Sequence, residues 1–282
     1  MTSIVIPAHN EARVIGRLLD SLLADSPEDE TDIVVVCNGC TDDTARIAAA
    51  RGPRVRVVEI PVPSKHAALR AGDDHARGFP RLYVDADVVV TGADVRALTE
   101  PLTDDTSGVL ATAPERQIPL AACAWRVRAY YQVWQRLPAV REGLFGRGVI
   151  AVSNAGQARI AALPPLMADD LAASLAFARG ERLVVRAASV VIQPPRTWRD
   201  LIKRRVRAAV STAQVEQHQG PEQASARTSK ADLMDLLRRE PRLFAAVVVF
   251  VAAAVAARRK ARKAVRAQDF GTWLRDESSR QN

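Results

Sequence analysis

Cysteine and histidine are scarce in this chain, with three and four copies in 282 residues. An odd number of cysteines in a chain of this length does not form a disulfide framework, and it favours a reducing, cytoplasmic location. Two of them occur in Cys37-Asn38-Gly39-Cys40, but a structural zinc site needs four ligands and no histidine pair has ligand spacing. The acidic side chains of Asp42 and Asp43 would oppose the thiolate that a redox site requires. We therefore interpret both cysteines as small packing residues at a strand end.

Aromatic residues make up only 5% of the chain, although its net charge is +8. Excess positive charge indicates an anionic partner, which could be a nucleic acid, a phosphorylated substrate or a membrane surface. A nucleic-acid-binding protein is a weaker alternative, because stacking platforms are not evident and much of the charge lies in 204–207 and 258–266. A nucleotidyltransferase is the other alternative, since it also uses an acidic pair after a strand. Residues 5–16, however, offer only Gly16 toward a glycine-rich phosphate loop.

The apolar run at 243–257 is short for a transmembrane helix. As a helix its 15 residues would extend about 22 Å, against a hydrocarbon core of roughly 30 Å. Six cations follow it: Arg258, Arg259, Lys260, Arg262, Lys263 and Arg266. One alternative is a helix packed on the catalytic domain. The other, which we slightly favour, is a membrane-seated helix whose basic cluster meets anionic lipid on the cytoplasmic side.

Strand and helix patterns alternate through the first part of the chain. Apolar, β-branched runs at 4–6, 32–36, 55–60 and 81–84 predict strands, and helical spacing at 14–23 and 67–76 predicts helices between them. This alternation predicts βαβ units and a mostly parallel sheet with helices on both faces. Because the first strand begins almost at once, we expect no signal peptide.

Polar residues follow the ends of three predicted strands. They are Asn10 and Glu11, Asn38 and Asp42, and Asp85 and Asp87. Parallel sheets bind ligands at the carboxyl ends of their strands, so the topology predicts that these three groups meet at one edge.

The last group, Asp85-Ala86-Asp87, has two carboxylates two residues apart directly after a strand. One carboxylate can reach the ribose of a sugar nucleotide. The other, directly or through water, can bind Mg²⁺ or Mn²⁺ that bridges a diphosphate. Such a metal offsets charge on the leaving phosphate. The motif alone is weak, because acidic turns are common, and its position in the predicted sheet strengthens it.

Further along the chain, two features have competing interpretations. Asp169-Asp170 either caps a helix over 171–179 or supplies a general base. The Arg-rich helix predicted at 198–210 is either a solvated face or a diphosphate-binding face formed by Lys203, Arg204 and Arg207. Lys65 is likewise either a phosphate contact or an ordinary exposed lysine.

The remaining segments are less regular. We predict a helix at 125–137, a flexible loop at 143–148, strands at 149–152 and 183–192, and a polar loop at 216–230.

Five motifs in order resemble those of the family 2 inverting glycosyltransferases with a GT-A fold, over residues 1–210. They are IVIPAHNE, CNGCTDDTA, KHAALRAG, YVDAD and ADDLA. KRRVR stands where relatives often carry Gln-Arg-x-Arg-Trp. The resemblance implies an α/β GT-A fold and metal-dependent transfer of a sugar from a nucleotide-diphosphate donor, typically UDP-linked, to an acceptor hydroxyl.

The resemblance also implies residue roles. The nucleotide-sugar contacts would be Pro7, Ala8, Asn10, Glu11, Asn38, Lys65, Asp85, Arg204 and Arg207. Asp87 would bind Mn²⁺ or Mg²⁺, and Asp170, beside Asp169, aligns best with the catalytic base. Two residues depart from the family pattern. Asn38 replaces a base-contacting acid, which weakens the expectation of UDP, and Ala208 replaces a tryptophan, which favours single addition over processive synthesis.

We expect a catalytic domain at 1–210, a polar linker and amphipathic helix at 211–240, and an apolar helix with a basic tail at 241–282. The expected partners are a nucleotide-sugar donor, a glycan or lipid-linked acceptor of the cell envelope, and an anionic membrane surface, without nucleic acid. The expected location is cytoplasmic and peripheral on the inner face of the cell membrane.

Overall fold

A computed structural model of the chain describes residues 1–25, 30–104, 106–163, 169–219 and 228–266. The polar segment 220–227 and the basic tail from 267 lie outside these described residues. The chain divides into two compact units. The first comprises Met1–Gln117, Leu144–Pro165 and Ala176–Ile192, and the second comprises Ile118–Gly143, Leu166–Leu175 and Gln193–Asn282. The domain boundaries expected at 210 and 240 stay predictions.

Seven strands form one sheet in the described part of the first unit. They are β1 (Thr2–Ala8), β2 (Thr31–Asn38), β3 (Val55–Ile60), β4 (Arg81–Val84), β5 (Ala111–Gln117), β6 (Val149–Val152) and β7 (Arg182–Val191). Their order is β3-β2-β1-β4-β6-β5-β7, and only β6 runs antiparallel to its neighbours. The predicted mostly parallel α/β sheet is confirmed.

The helices of the described residues fall in both units. In chain order they are α1 (Ile15–Ala24), α2 (Thr44–Ala49), α3 (Lys65–His75), α4 (Gly92–Thr103), α5 (Trp125–Trp134), α6 (Pro138–Glu142), α7 (Asn154–Ala161), α8 (Asp169–Leu175), α9 (Trp198–Gln219), α10 (Lys230–Arg239) and α11 (Phe244–Arg266). The first unit holds α1 to α4 and α7, and the second holds the others.

Strand β1 lies inside the sheet, between β2 and β4, and is buried on both faces. Ile4 and Ile6 pack into one core cluster with residues of α1, whereas Val5 points to the other face and packs near Tyr83. Burial on both faces explains why consecutive residues of β1 are apolar. The parallel registers of β1 with β2 and β4 bring the carboxyl ends of these three strands to one edge of the sheet.

In the second unit, α11 packs against α5 and α9. Phe250 of α11 stacks on Tyr130 of α5, with ring centroids 5.1 Å apart and an angle of 20° between the rings. Tyr130 is almost fully buried. This aromatic contact fixes the buried face of α11.

Several predicted element ends were wrong. Helix α9 extends to Gln219, so 216–219 are helical and not part of a polar loop; the first helix-breaking residues after position 210 are Gly220 and Pro221. Helix α8 ends at Leu175 and not at residue 179, because Phe177 leaves the helix to enter the core of the first unit. The C-terminal helix, predicted at 243–257, continues to Arg266.

Candidate functional site

The loops that follow β1 and β2 are joined by side-chain hydrogen bonds. Asn10 adopts φ 55° and, among the residues that the structure describes, is the one non-glycine residue with positive φ. Its Oδ1 accepts a hydrogen bond of 2.8 Å from Thr41 N. One residue later, Glu11 N donates to Thr44 Oγ1 at 2.8 Å, and Glu11 is buried. The Asn-Glu turn is therefore held in one conformation by the loop after β2.

Asp42 strengthens this connection. Its Oδ2 accepts from Ala12 N at 3.1 Å, and its Oδ1 accepts from the backbone N–H of Thr44 at 3.1 Å. Partial burial raises the pKa of Asp42, but the hydrogen bonds from Thr44 and Ala12 lower that pKa by more than burial raises it. The net shift is therefore downward. The carboxylate is thus ionised at neutral pH and serves the loop structure.

Asn38 connects three segments at the end of β2. Its buried side-chain amide fits with the nitrogen 2.6 Å from Ala8 O and the oxygen 3.1 Å from Ser64 N, in the orientation that satisfies both partners. His9 Nδ1 lies 2.6 Å from the backbone oxygen of Asn38. An aspartate could accept from Ser64 N but could not donate to Ala8 O. This gives a physical reason for asparagine at position 38, where the resemblance leads us to expect an acid.

Asp85 and Lys65 form an ion pair beside these loops. Lys65 Nζ donates to Asp85 Oδ1 at 2.6 Å, and both side chains are 40% exposed. Ser64 caps the helix that begins at Lys65, because its side chain accepts from Ala67 N. The backbone N–H of Asp85 donates to Gly148 O at 2.8 Å. The first aspartate of the Asp-x-Asp motif is thus held from two sides.

The segment before β6 is anchored, although the sequence predicted a flexible loop. Arg147 is buried and its Nη1 donates to Pro114 O at 2.7 Å. Burial lowers the pKa of Arg147 to about 10, and the negative charge of Glu115 opposes that shift. Gly148 adopts φ +67°, and a Cβ there would lie 2.6 Å from Val88 Cγ1. The sequence did not predict that Gly148 supports Asp85. The glycines of GLFGRG are the feature of the sequence that could have indicated a tightly packed turn there.

Asp85 and Asp87 offer two hard carboxylate groups to a divalent metal. Asp87 is exposed and Asp85 is half-buried. The described residues contain no group of three or more His, Cys, Asp or Glu side chains that could hold a metal by themselves. Mg²⁺ is usually bound by one or two carboxylates together with substrate phosphates and water. This donor set therefore fits a metal that arrives with, or is completed by, a diphosphate.

The two cysteines of the loop after β2 are packing groups. Cys40 Sγ donates to Ala8 O at 3.3 Å, and Cys37 is almost fully buried. Burial and the neighbouring Cys40 raise the pKa of Cys37 to about 12. A thiol with this pKa stays protonated at neutral pH, as a packing role requires.

The other predicted site residues lie in the second unit. Asp169 and Asp170 open α8, and Asp170 Oδ1 accepts from Leu171 N at 2.8 Å with its side chain exposed. Arg204 and Arg207 are one turn apart in α9 and share a helix face. Arg204 Nη1 donates to Gln193 O at 3.0 Å, and Arg207 is half-buried.

The chain is similar to known proteins in both sequence and structure. The family model described as Glycosyl transferase family 2 matches residues 3–157. A dolichyl-phosphate beta-glucosyltransferase of Trichomonas vaginalis is 38% identical over an alignment of 97 residues, and the match covers 30% of this chain and 29% of that protein. A 4,4'-diaponeurosporenoate glycosyltransferase of Staphylococcus aureus is 36% identical over an alignment of 97 residues, and the match covers 33% of this chain and 25% of that protein. The matches thus span less than a third of either relative.

A solved structure shows the same fold. It is the mannosyltransferase PcManGT from Pyrobaculum calidifontis in complex with GDP-Man and Mn²⁺, at 22% identity and a TM-score of 0.60. The similarity covers 98% of this chain and 81% of that one. Since the family model spans more than half of the 282 residues, the chain belongs to glycosyltransferase family 2 and has the GT-A fold.

Proposed function

We propose that this protein is an inverting glycosyltransferase that moves a sugar from a nucleotide-diphosphate sugar to an acceptor hydroxyl. The observation that carries the proposal is the group of polar side chains at the carboxyl edge of β1, β2 and β4, with Lys65 Nζ 2.6 Å from Asp85 Oδ1. A cation and a carboxylate side by side at this edge suit a ligand that carries both phosphates and hydroxyl groups.

The donor would bind in the first unit through the strand-end loops. Its nucleoside contacts are Pro7, Ala8, Asn10, Glu11 and Asn38, and Asp85 accepts from the ribose. Lys65, Arg204 and Arg207 contact the diphosphate as cationic donors. We propose a UDP-linked sugar. The amide of Asn38 is buried and contacts Ala8 O and Ser64 N, so it does not by itself identify the base. PcManGT, which has a similar fold, was solved with GDP-Man, so GDP-sugars are tested beside UDP-sugars.

The proposed metal is Mn²⁺ or Mg²⁺, held by Asp87 with Asp85 nearby. When bound, this ion neutralises charge that builds on the departing diphosphate. The two carboxylates supply hard oxygen ligands, and the donor phosphates complete the set. PcManGT, whose complex contains Mn²⁺, supports a divalent metal in this fold.

The transfer itself would be a direct displacement. Asp170 removes the proton from the acceptor hydroxyl, whose oxygen attacks the anomeric carbon as the bond to the diphosphate oxygen breaks. The configuration at the anomeric carbon inverts. The positive side chains of Lys65, Arg204 and Arg207 stabilise the charge that develops on the nucleoside diphosphate. Asp169, the preceding residue, contributes to the acidic start of α8.

For the acceptor, we propose a lipid-linked or cell-envelope hydroxyl, reached from the cytoplasmic side of the membrane. Two relatives are named for dolichyl phosphate and for 4,4'-diaponeurosporenoate. Within the described parts of the chain, the 21-residue stretch Pro241–Ala261, which comprises a 3-10 turn at Pro241–Leu243 and most of α11, has a mean hydropathy of 1.8, enough by length and composition to cross a membrane. Buried core helices also have such values.

Asp170→Asn tests the mechanism, with Asp169→Asn as its matched neighbour. We expect Asp170→Asn to reduce transfer by about 10²–10⁴-fold while donor binding, measured by calorimetry with Mn²⁺, stays within a factor of a few. Asp169→Asn should retain most of the activity. Full turnover by the Asp170 variant would show that the base is assigned wrongly.

A ligand panel tests the function class. We expect calorimetric binding of UDP-sugars or GDP-sugars with Mn²⁺, and no comparable binding of nucleoside triphosphates or DNA. Preferential binding of a nucleoside triphosphate would favour a nucleotidyltransferase, and preferential binding of DNA would favour a nucleic-acid-binding protein.

A further inference from the structure

We propose that α11 sits half-immersed in an anionic membrane surface through one exposed apolar face, and that it does not cross the bilayer. This makes the proposed peripheral location specific, because it names the docking surface and the depth of insertion. It rests on the contacts of the second unit and not on the chemistry of the transfer.

The exposed face is a continuous apolar stripe. Phe244, Val248, Val251 and Val255 follow one another at intervals of four, three and four residues, and their exposed fractions are 65%, 54%, 41% and 41%. These intervals place all four side chains on one side of the helix, over about 17 Å of its length. We call these four residues the α11 stripe. Four large apolar side chains in one line on a surface indicate a contact with an apolar partner.

The opposite face of α11 is occupied by protein. Ala246, Phe250, Ala253 and Ala257 are buried, and Phe250 stacks on Tyr130 at 5.1 Å. In the most apolar 18-residue window of Pro241–Ala261, only 33% is buried. The helix therefore has one face packed on protein and one exposed face. A helix with this division suits an interface better than a position inside a protein core.

Charged residues near the packed face argue against a spanning helix. Arg205 belongs to the neighbouring helix α9, and its guanidinium carbon lies 5.9 Å from the ring centroid of Tyr130 on α5. If α11 crossed the bilayer with its native packing, α5 and α9 would enter the hydrocarbon with it. Arginines in the bilayer core are strongly unfavourable, so the packed face must stay out of the lipid. Immersion is therefore limited to the stripe.

The charge next to the stripe identifies the lipid. Arg258 and Arg259 are exposed and follow Val255 by three and four residues, so they flank the stripe one turn beyond its end. Lys260 is also exposed. Cations at the edge of an apolar face complement anionic headgroups around an immersed helix.

A second copy of the chain is a less suitable occupant. The stripe offers four side chains, whereas a stable protein interface uses roughly 20–30 residues on each side. A lipid surface needs no such area, because side chains insert individually into it. The anionic membrane is therefore the partner that the exposed residues fit.

Flotation of the full chain with lipid vesicles tests this proposal. We expect binding to vesicles of phosphatidylcholine and phosphatidylglycerol at least about tenfold stronger than to phosphatidylcholine alone, with release by salt. Val251→Ser with Val255→Ser should reduce binding by about tenfold or more, since each serine would bury less apolar area in the lipid than the valine it replaces. Arg258→Gln with Arg259→Gln should remove the preference for the anionic lipid.

Matched controls separate the stripe from general effects. Val191→Ser changes an exposed valine of the first unit (46% exposed), and Arg238→Gln changes an exposed cation of α10. Neither should alter vesicle binding. All variants should retain the circular dichroism spectrum and donor binding of the wild type, so that loss of membrane binding is distinguished from failure of the proposed transferase activity.

Three results would overturn the proposal. Binding that resists alkaline carbonate and is equal for neutral and anionic vesicles would indicate a spanning helix. Concentration-dependent dimerisation in sedimentation, lost in the valine variant and without vesicle binding, would identify a second copy as the partner. A monomer that binds neither vesicle would show that the stripe has no lipid partner.

Discussion

Lys65 Nζ donates a 2.6 Å hydrogen bond to Asp85 Oδ1, which joins the start of α3 to the end of β4. Both side chains are 40% exposed, and exposed ion pairs add only about 0–1 kcal/mol to stability. The value of this pair therefore lies in its position. It keeps Lys65 and Asp85, the proposed phosphate and ribose contacts, together at the carboxyl edge of the sheet.

Replacing Lys65 with methionine should weaken donor binding. The variant keeps the aliphatic stem but loses the charge, so we expect nucleoside diphosphate affinity to fall about tenfold, as for one lost charge-assisted hydrogen bond. The unfolding free energy should change by less than about 1 kcal/mol. Lys230→Met on α10 is the matched control. Unchanged affinity in the Lys65 variant, measured by calorimetry with Mn²⁺, would remove Lys65 from the site.

Gly148→Ala should disturb Asp85. The added Cβ would lie 2.6 Å from Val88 Cγ1 and 3.4 Å from Asp85 Oδ2, at a φ of +67°. Gly108→Ala is a close control, because its φ is +66° but nothing lies within 4 Å of its Cβ position. We expect both variants to lose about 1 kcal/mol of stability from the backbone, and only Gly148→Ala to lose donor affinity as well. Equal donor affinity in the two variants would contradict the positioning role of Gly148.

Asn38→Asp should destabilise the fold. The aspartate would place a carboxylate oxygen against Ala8 O in a buried position, so we expect the unfolding free energy to fall by about 1–3 kcal/mol. Asn154→Asp, an exposed change in the first turn of α7, should have little effect. Urea unfolding measures both. A fully stable Asn38 variant would show that the amide is not needed as a donor.

Asp32 predicts a pH dependence of stability. Burial raises the pKa of Asp32, but hydrogen bonds from Arg56, Arg77 N and Ser3 lower that pKa by more than burial raises it. The net shift is therefore downward. A depressed carboxyl pKa stabilises the fold above its unfolded pKa of about 3.9, and that contribution is lost as the pH falls toward the folded pKa. The difference in unfolding free energy between wild type and Asp32→Asn should therefore be constant near neutral pH and shrink below about pH 4. A difference independent of pH would contradict this account.

The sequence predicted the parallel half of the sheet better than the rest of it. β1 and β2 are apolar runs buried on both faces, and β3 keeps an apolar, β-branched pattern around Arg56 and Glu59, so the sequence reveals all three. β5 was missed because its last residues, Pro114 to Gln117, are polar or lack an amide hydrogen. A register shift between Pro114 and Glu115 accommodates the proline in the ladder.

For the candidate site, topology predicted which residues lie at one edge but not what their side chains contact. The sequence did not predict that the amide of Asn38 joins Ala8 O to Ser64 N. The contact of Asn38 with the base stays a prediction. The support of Asp85 by Gly148 depends on an antiparallel pairing of β4 with β6, which no local pattern encodes.

Titration of a nucleotide-diphosphate sugar with Mn²⁺ into the wild type and Asp87→Asn tests the central claim most directly. Calorimetry should show metal-dependent binding to the wild type, and at least about tenfold weaker binding to the variant, because the exposed carboxylate that would hold the metal is lost. Binding of equal strength in both proteins, or binding without any metal dependence, would contradict the claim that the edge formed by β1, β2 and β4 holds a metal-bound sugar nucleotide.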